Sequence, residues 1–386
     1  MSAMEGVRAQ IRDIPLENIA NLAKDRFGDP SIIPLWFGEG DVRAPAFIGE
    51  AMLRAVSAGH VFYTHQNGIP ELRETLSQYL CGLGRKPVGP ERVTVTASGM
   101  NAIMLAIQLV CEPGDNIVAV DPVWPNTGGM ARLVGAEVRS ARMDHGQGGW
   151  RLDPERFAAT MDARTRVVFF ASPGNPTGAM IPIETQAEVL RLCRERGVWL
   201  IADEVYNRLA FGRNAAPTIL DIADPEDRLI VINSFSKSWA MTGWRLGWMV
   251  MPRGLAPTVE KLLEFNTSGG QGFLQRAGIT ALEEGEGFVA EQIARYRAGR
   301  DLVTQRLGGM RRARVTRSEA SMYLMFQVEG ESDSYDLALR LVEEARVGLA
   351  PGVAFGAGGE GYLRLCFAAN TRKLAEAMDR LEPILG

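Results

Sequence analysis

From about residue 92 onward, short apolar runs alternate with longer amphipathic stretches, and that rhythm restricts the fold more than any other feature of the chain. Strand, helical crossover and strand, repeated in this order, is how parallel sheets are built, with helices covering both faces. RVTVT, NIVAV, RVVFFA, VWLIA and RLIVIN read as strands, each an aliphatic or β-branched block closed by Gly, Pro, Asp or Ser. The spacing predicts a helix from Met100 and another over 183–196. After about residue 285 the texture changes to a long charged helix, GFVAEQIARYRAGRDLVTQRL, then strand-like runs at MYLMFQV and YLRLCFA with a helix between them. The expectation is an α/β fold with a doubly wound domain over 44–284. A smaller α+β domain over 285–386 would share an N-terminal arm, 1–43. The 386 residues exceed the ~250–300 at which single cores stop growing.

A net charge of −4, with basic and acidic residues interleaved, gives no electrostatic footprint for nucleic acid or an anionic membrane. Arg311, Arg312 and Arg314 form the one local basic cluster, expected on a solvated face. Cys81, Cys111, Cys193 and Cys366 lie far apart, and with His60, His65 and His145 they build neither a disulfide framework nor a zinc set. Glu5 and Arg8 stand where a signal peptide needs an apolar run, so a cytoplasmic protein with reduced thiols is expected.

In open α/β sheets ligands bind beyond the carboxyl ends of the strands, which makes the residues just after each apolar run the candidates. After RVTVT come Ser98, Gly99 and Met100 at a helix start, where free backbone N–H groups suit a phosphate. After NIVAV comes Trp124, a flat indole; after RVVFFA comes Asn175 in a rigid Pro-Gly turn; after VWLIA come Asp203 and Tyr206; after RLIVIN come Ser234, Ser236 and Lys237. Singly, Asp203 reads equally as a helix cap, Trp124 as core, Asn175 as a turn residue and Lys237 as a solvated lysine. Together they supply what pyridoxal phosphate needs: an amine for a Schiff base, an acid opposite the ring nitrogen, a ring to stack on and phosphate donors. Lys237 has no acidic neighbour in sequence and Arg245 eight positions on, consistent with a neutral amine. Tyr206 could bond the ring oxygen, and Ser234, Ser236 and Arg245 could share the phosphate.

SPGNPTG, ADEVY and SFSKSWAMTGWRLGW, extended by YTHQNGIPELRE, DPVWP and PGVAFG with GYLRLCFA, resemble the motifs of the class I and II aminotransferases, the aspartate aminotransferase group of fold type I pyridoxal phosphate enzymes. The resemblance covers nearly the whole chain. It implies a large domain with a mostly parallel seven-stranded sheet and a smaller α+β domain. It implies that Lys237 holds the cofactor and shuttles the proton, that Asp203 pairs with the ring nitrogen, that Tyr206 and Asn175 hold the ring oxygen, and that Trp124 stacks on the ring. Gly99 and Met100 would bind phosphate with Ser234, Ser236 and Arg245. Tyr63 resembles the tyrosine that reaches the neighbouring subunit's phosphate, which implies a homodimer with shared active sites. Arg364 resembles the arginine that clamps the substrate's α-carboxylate, with Gly38 and Asn175 beside it.

The sequence departs from the family pattern in two places. GEGD puts Gly40 where a proline is common, so a more mobile loop is expected. TSGGQGFLQ removes the basis for assigning a contact to Ser268. GAGGEG over 356–361 imitates a nucleotide-binding motif, but it precedes a strand and has no βαβ unit after it, so a flexible lid beside Arg364 is expected instead. The activity implied is amino-group transfer between an L-amino acid and a 2-oxo acid; the alternative is a carbon-sulfur β-lyase, which uses the same lysine, aspartate and arginine. A transcription regulator with such a domain would need an added DNA-binding unit, for which these 386 residues leave no room. Phe37, Trp36 and Phe273 are candidates for an apolar side-chain pocket, and Arg276 or Arg297 for a second carboxylate contact.

Overall fold

Alternate residues of the apolar runs bury on opposite faces of one sheet, which is why those runs are unbroken rather than alternating. In the computed structural model, which describes residues 3–12, 14, 18–146 and 148–386, Val167 and Phe169 pack with Ile117, Ile201, Ile230 and Met249 on one face. Val168 and Phe170 pack with Val118, Leu200, Val231 and Trp248 on the other.

The sheet has seven strands: β1 (Val93–Thr96), β2 (Asn116–Asp121), β3 (Glu137–Arg142), β4 (Thr165–Ala171), β5 (Trp199–Asp203), β6 (Leu229–Ser234) and β7 (Gly247–Val250). Their order is β1-β7-β6-β5-β4-β2-β3. Six run parallel, and β7 is antiparallel to both β1 and β6. The five strands read from the sequence are all present. β3 escapes such a reading because it is an edge strand, EVRSAR, with only Ala141 buried. β7 escapes because it sits inside a Gly- and Trp-rich motif and returns from β6 without the helical crossover a parallel strand requires.

The helix expected from Met100 runs Gly99–Val110, and that over 183–196 runs Ile183–Arg196, stopped by Gly197 in the left-handed region at φ 64°. A second sheet contains β8 (Ala313–Val315), β9 (Tyr323–Val328), β10 (Ala350–Pro351) and β11 (Tyr362–Cys366) in the order β8-β9-β11-β10, all antiparallel. Its core joins Leu324, Phe326 and Leu365 to Leu341 and Leu381 and to Ile33, Leu35 and Trp36 of the N-terminal segment. Ile33–Pro34 also pairs in parallel with Val347–Gly348. The helix Glu286–Gly309 spans the two cores, Val289 in the first and Tyr296 and Val303 in the second. Of the predicted arm over 1–43, residues 1, 2, 13 and 15–17 lie outside the described residues.

Candidate functional site

The parallel strands β1, β2, β4, β5 and β6 all end at one edge of the sheet, and their last residues deliver the polar groups of the site. After β1, Ser98 caps the helix Gly99–Val110, its Oγ accepting from the Asn101 amide at 3.0 Å. The first-turn amides of Gly99 and Met100 have no acceptor within their own helix. Gly247 of β7 lets this turn approach the sheet: a Cβ there would stand 2.5 Å from the Gly99 nitrogen.

Ser234 ends β6 as the cap of the turn Phe235–Ser238, accepting from the Ser236 amide at 3.0 Å with the two hydroxyls 2.9 Å apart. That turn carries Lys237, whose Nζ donates to the Gly38 carbonyl at 2.8 Å. Arg245 takes the left-handed region at φ 54°, and its Nη1 donates to the Thr242 carbonyl at 2.5 Å.

Burial is the main reason the Lys237 ammonium is held below its usual range, and the nearby Arg364 guanidinium adds to it. Cys366, Glu39 and Asp203 oppose that effect, so the absence of acids around Lys237 is a property of its sequence neighbourhood only. Tertiary folding brings two carboxylates near, and desolvation still prevails. Asp203, 6% exposed at the end of β5, accepts from the Val205 amide at 3.1 Å. Burial pushes its carboxyl up to about 6, with Val205 and Lys237 working against it.

Arg364 lies on β11 and is 3% exposed. Its Nη1 donates to Asn175 Oδ1 at 2.9 Å, its Nη2 donates to the Trp36 carbonyl, and its buried Nε has no partner. The guanidinium sits over the rings of Tyr323 at 4.5 Å and Phe355 at 4.7 Å.

Gly38, Gly99, Met100, Trp124, Asn175, Asp203, Tyr206, Ser234, Ser236, Lys237, Arg245 and Arg364 border one cavity of about 270 Å³. Tyr63 is not among them and is 92% exposed. Sequence reading missed Tyr323, Phe355, Ile19 and Thr242, which also border it. Tyr323 matters most, since its hydroxyl lies 2.7 Å from that of Tyr206. Nothing in MYLMFQV marks it, because a tyrosine opening an apolar strand reads as core. Phe37 borders the cavity, whereas Trp36 is buried in the core and Phe273 lies elsewhere. Arg276 pairs with Glu71, and Arg297 is outside the cavity. Ser268 also lies outside it and donates to the Glu264 carbonyl.

Two expectations about loops are corrected. The GEGD loop is tied down rather than loose: Asp41 accepts from the amide and side chain of Asn370 and pairs with Arg295, and Thr242 donates to Glu39. The glycine segment 356–361 is docked rather than a free lid. The Gly358 amide donates to Asp121 Oδ2 at 2.7 Å, and a Cβ on Gly356 would stand 2.0 Å from Asp121 Oδ1. The basic cluster is neutralised in part, Arg312 by Glu331 and Arg314 by Glu329.

The donor set fits pyridoxal phosphate on three observations. A partly buried amine and a buried carboxyl face one cavity, so an aromatic aldehyde with a basic ring nitrogen finds partners for both ends. The glycine contact between β7 and the Gly99 turn leaves that helix start open beside Ser234, Ser236 and Arg245, all able to donate to a phosphate. The Arg364 Nε is a buried donor without an acceptor, which a carboxylate would supply.

Comparison with known proteins agrees with this chemistry. The profile of the family "Aminotransferase class I and II" matches residues 33–381. An aspartate aminotransferase of Thermotoga maritima is 31% identical over 98% of this chain and 99% of its own length. An arginine–pyruvate transaminase of Pseudomonas aeruginosa is 32% identical over 91% of this chain and 89% of its own. The solved structure of a single mutant of Thermus thermophilus aspartate aminotransferase superposes with a TM-score of 0.91 at 28% identity, covering 98% of this chain and all of that one. Among the described residues, no helix is long and apolar enough to cross a membrane.

Proposed function

This chain belongs to the class I and II aminotransferases, and from that premise we propose the task each residue of its cavity performs. The enzyme is a pyridoxal phosphate-dependent transaminase with the aminotransferase fold, moving an amino group between an amino acid and a 2-oxo acid. When bound, the cofactor supplies the electron sink that accepts the pair left on the substrate's α carbon.

Lys237 Nζ would hold the cofactor, and its place beside the Gly38 carbonyl would let the free amine take a proton from the substrate's α carbon. Burial depresses its basicity and so favours the neutral amine, the form able to accept that proton. Asp203 accepts from the ring N–H and keeps that nitrogen protonated. Tyr206 and Asn175 hold the ring oxygen, with Tyr323 orienting the Tyr206 hydroxyl. Trp124 covers the ring face. The amides of Gly99 and Met100, with Ser234, Ser236 and Arg245, hold the phosphate. Arg364 clamps the α-carboxylate through the fork that Asn175 and the Trp36 carbonyl already orient, beside Gly38. The placement of Lys237 Nζ and the Asp203 carboxyl on one cavity carries this reading.

Tyr63 serves the phosphate of a second copy in a homodimer with shared sites. Leu53, Val61, Phe62, Tyr63, Met100 and Phe265 are large apolar side chains left exposed. Gln66–Glu264 and Asn101–Asn266 hydrogen bonds draw the segments bearing several of them together. Such a surface suits burial against a partner. We assign residues 44–284 to the cofactor-binding domain and 285–386, with part of 1–43, to the smaller domain, and place the enzyme in the cytoplasm.

The relatives are named for amino-group transfer, which favours that activity over a carbon-sulfur β-lyase for this chain. The test is the visible spectrum of the reconstituted protein as single amino acids are added without a 2-oxo acid. Conversion to the amino form of the cofactor is expected, and Lys237→Ala should abolish turnover. Accumulation of pyruvate without conversion, or wild-type turnover in the variant, would refute the assignment. Sedimentation should give a dimer, and a monomer of full activity would remove the role of Tyr63.

A further inference from the structure

The cavity has a second wall, and it is apolar. Ile19, Phe37 and Phe355 border it on the side of the Arg364 guanidinium, which lies 4.7 Å from the Phe355 ring. Phe37 adjoins Gly38, whose carbonyl accepts from Lys237, so this wall flanks the place where an α carbon must stand to be deprotonated. The helix Asn18–Ala23 packs on the turn Gly352–Phe355, which brings Ile19 to the same corner. Phe37 remains 39% exposed, touched edge-on by Phe27 and Trp36, and leaves apolar surface turned toward the opening.

Within one chain, the described residues leave no cation spare for an acidic side chain at this wall. Among the described residues bordering the cavity, the cationic groups are Lys237, Arg245 and Arg364, and each already has a task in the proposed function. The residues outside the description include no lysine or arginine. A further charge at the cavity's edge is of the wrong sign: the Glu39 carboxylate accepts from Thr242, which borders the cavity, and is felt by Lys237. A carboxylate carried there by aspartate or glutamate would lose its water against aromatic rings and face a like charge.

We propose that the substrate's side chain lies on the wall of Ile19, Phe37 and Phe355, so that the preferred amino donors carry uncharged, apolar or aromatic side chains. This rests on the transaminase reading and specifies its substrate class, away from the aspartate of several relatives' names. The test uses the full-length, cofactor-loaded enzyme and measures kcat/KM for spectral conversion by leucine, methionine and phenylalanine against aspartate and glutamate, with alanine as reference. The apolar donors should exceed the acidic ones by about tenfold or more, the scale on which an apolar pocket discriminates. Aspartate or glutamate matching them overturns the proposal and points to a basic group reaching in from a second copy. If none of the six amino acids converts the cofactor, the proposal falls, and the transaminase reading falls with it only if every other amino acid, arginine included, also leaves the spectrum unchanged. Phe37→Ala and Ile19→Ala should each lower the ratio of phenylalanine to alanine by several-fold, and an unchanged ratio in both rejects the wall.

Discussion

Replacing Asp203 with asparagine should stabilise the cofactor-free protein while disabling the enzyme. The carboxyl is 6% exposed, and its one backbone donor, the Val205 amide, can bond the asparagine carbonyl equally well. Burial raises the folded group to about 6 from its ordinary 3.8. The folded chain therefore binds this proton more tightly than the unfolded one. The associated stability is present in full below pH 3.8 and is lost as pH rises through 6. At about 1.36 kcal/mol per decade, the loss amounts to about 3 kcal/mol at pH 8. An asparagine never ionises, so Asp203→Asn should be the more stable protein at pH 8 by roughly that amount, with the gap closing between pH 6 and 4. Glu204, which burial raises to about 7, acts alike in both proteins and cancels from the difference. Turnover should meanwhile fall roughly 10- to 150-fold, the loss of one charge-assisted hydrogen bond worth about 1.5–3 kcal/mol. Urea unfolding of both cofactor-free proteins at pH 8, 6 and 4.5 measures the first effect, and the spectral half-reaction the second. A variant no more stable than the parent at pH 8, or a gap independent of pH, would refute the argument that this carboxyl is held uncompensated until the cofactor arrives.

Arg364→Lys keeps the charge but loses the fork, so kcat/KM for amino acids should fall about 10- to 100-fold, while a simple amine lacking a carboxylate should react as before; equal losses for both would mean general damage. The amino-acid half-reaction should speed up as pH rises toward a midpoint below 10.5, because burial depresses Lys237, and Glu39→Gln should move that midpoint lower by removing a charge that favours the ammonium. An upward move contradicts the assignment. Gly247→Ala puts a Cβ 2.5 Å from the Gly99 nitrogen and 2.6 Å from the Ser98 carbonyl carbon. Overpacking of this kind costs about 1–3 kcal/mol, visible as a lower urea midpoint together with weaker cofactor binding, whereas a neutral result would show the contact to be soft.

Local chemistry was legible in the sequence wherever it depends on neighbours along the chain. The runs that became β1, β2, β4, β5 and β6 announced themselves because both faces are buried, and the residues ending them stand where a strand must stop. That was enough to name the cofactor and most of the polar residues that border one cavity. Strand order was not legible, since pairing β7 antiparallel between β1 and β6 follows from a return that carries only short turns, Phe235–Ser238 among them, in place of a crossover helix, and from glycines that admit close approach. Tyr323 against Tyr206, Glu39 near Lys237, and the wall of Ile19, Phe37 and Phe355 are likewise products of tertiary folding. Each joins segments remote along the chain whose residues look like ordinary core or loop until the second sheet docks. The sequence by itself determined the cofactor chemistry this chain can support, because a lysine and an aspartate where strands stop, with an arginine on a later apolar run, carry that chemistry with them, whether it serves amino-group transfer or β-elimination. What surrounds them, and so which side chain the substrate brings, depends on surfaces that exist only once distant segments have buried one another.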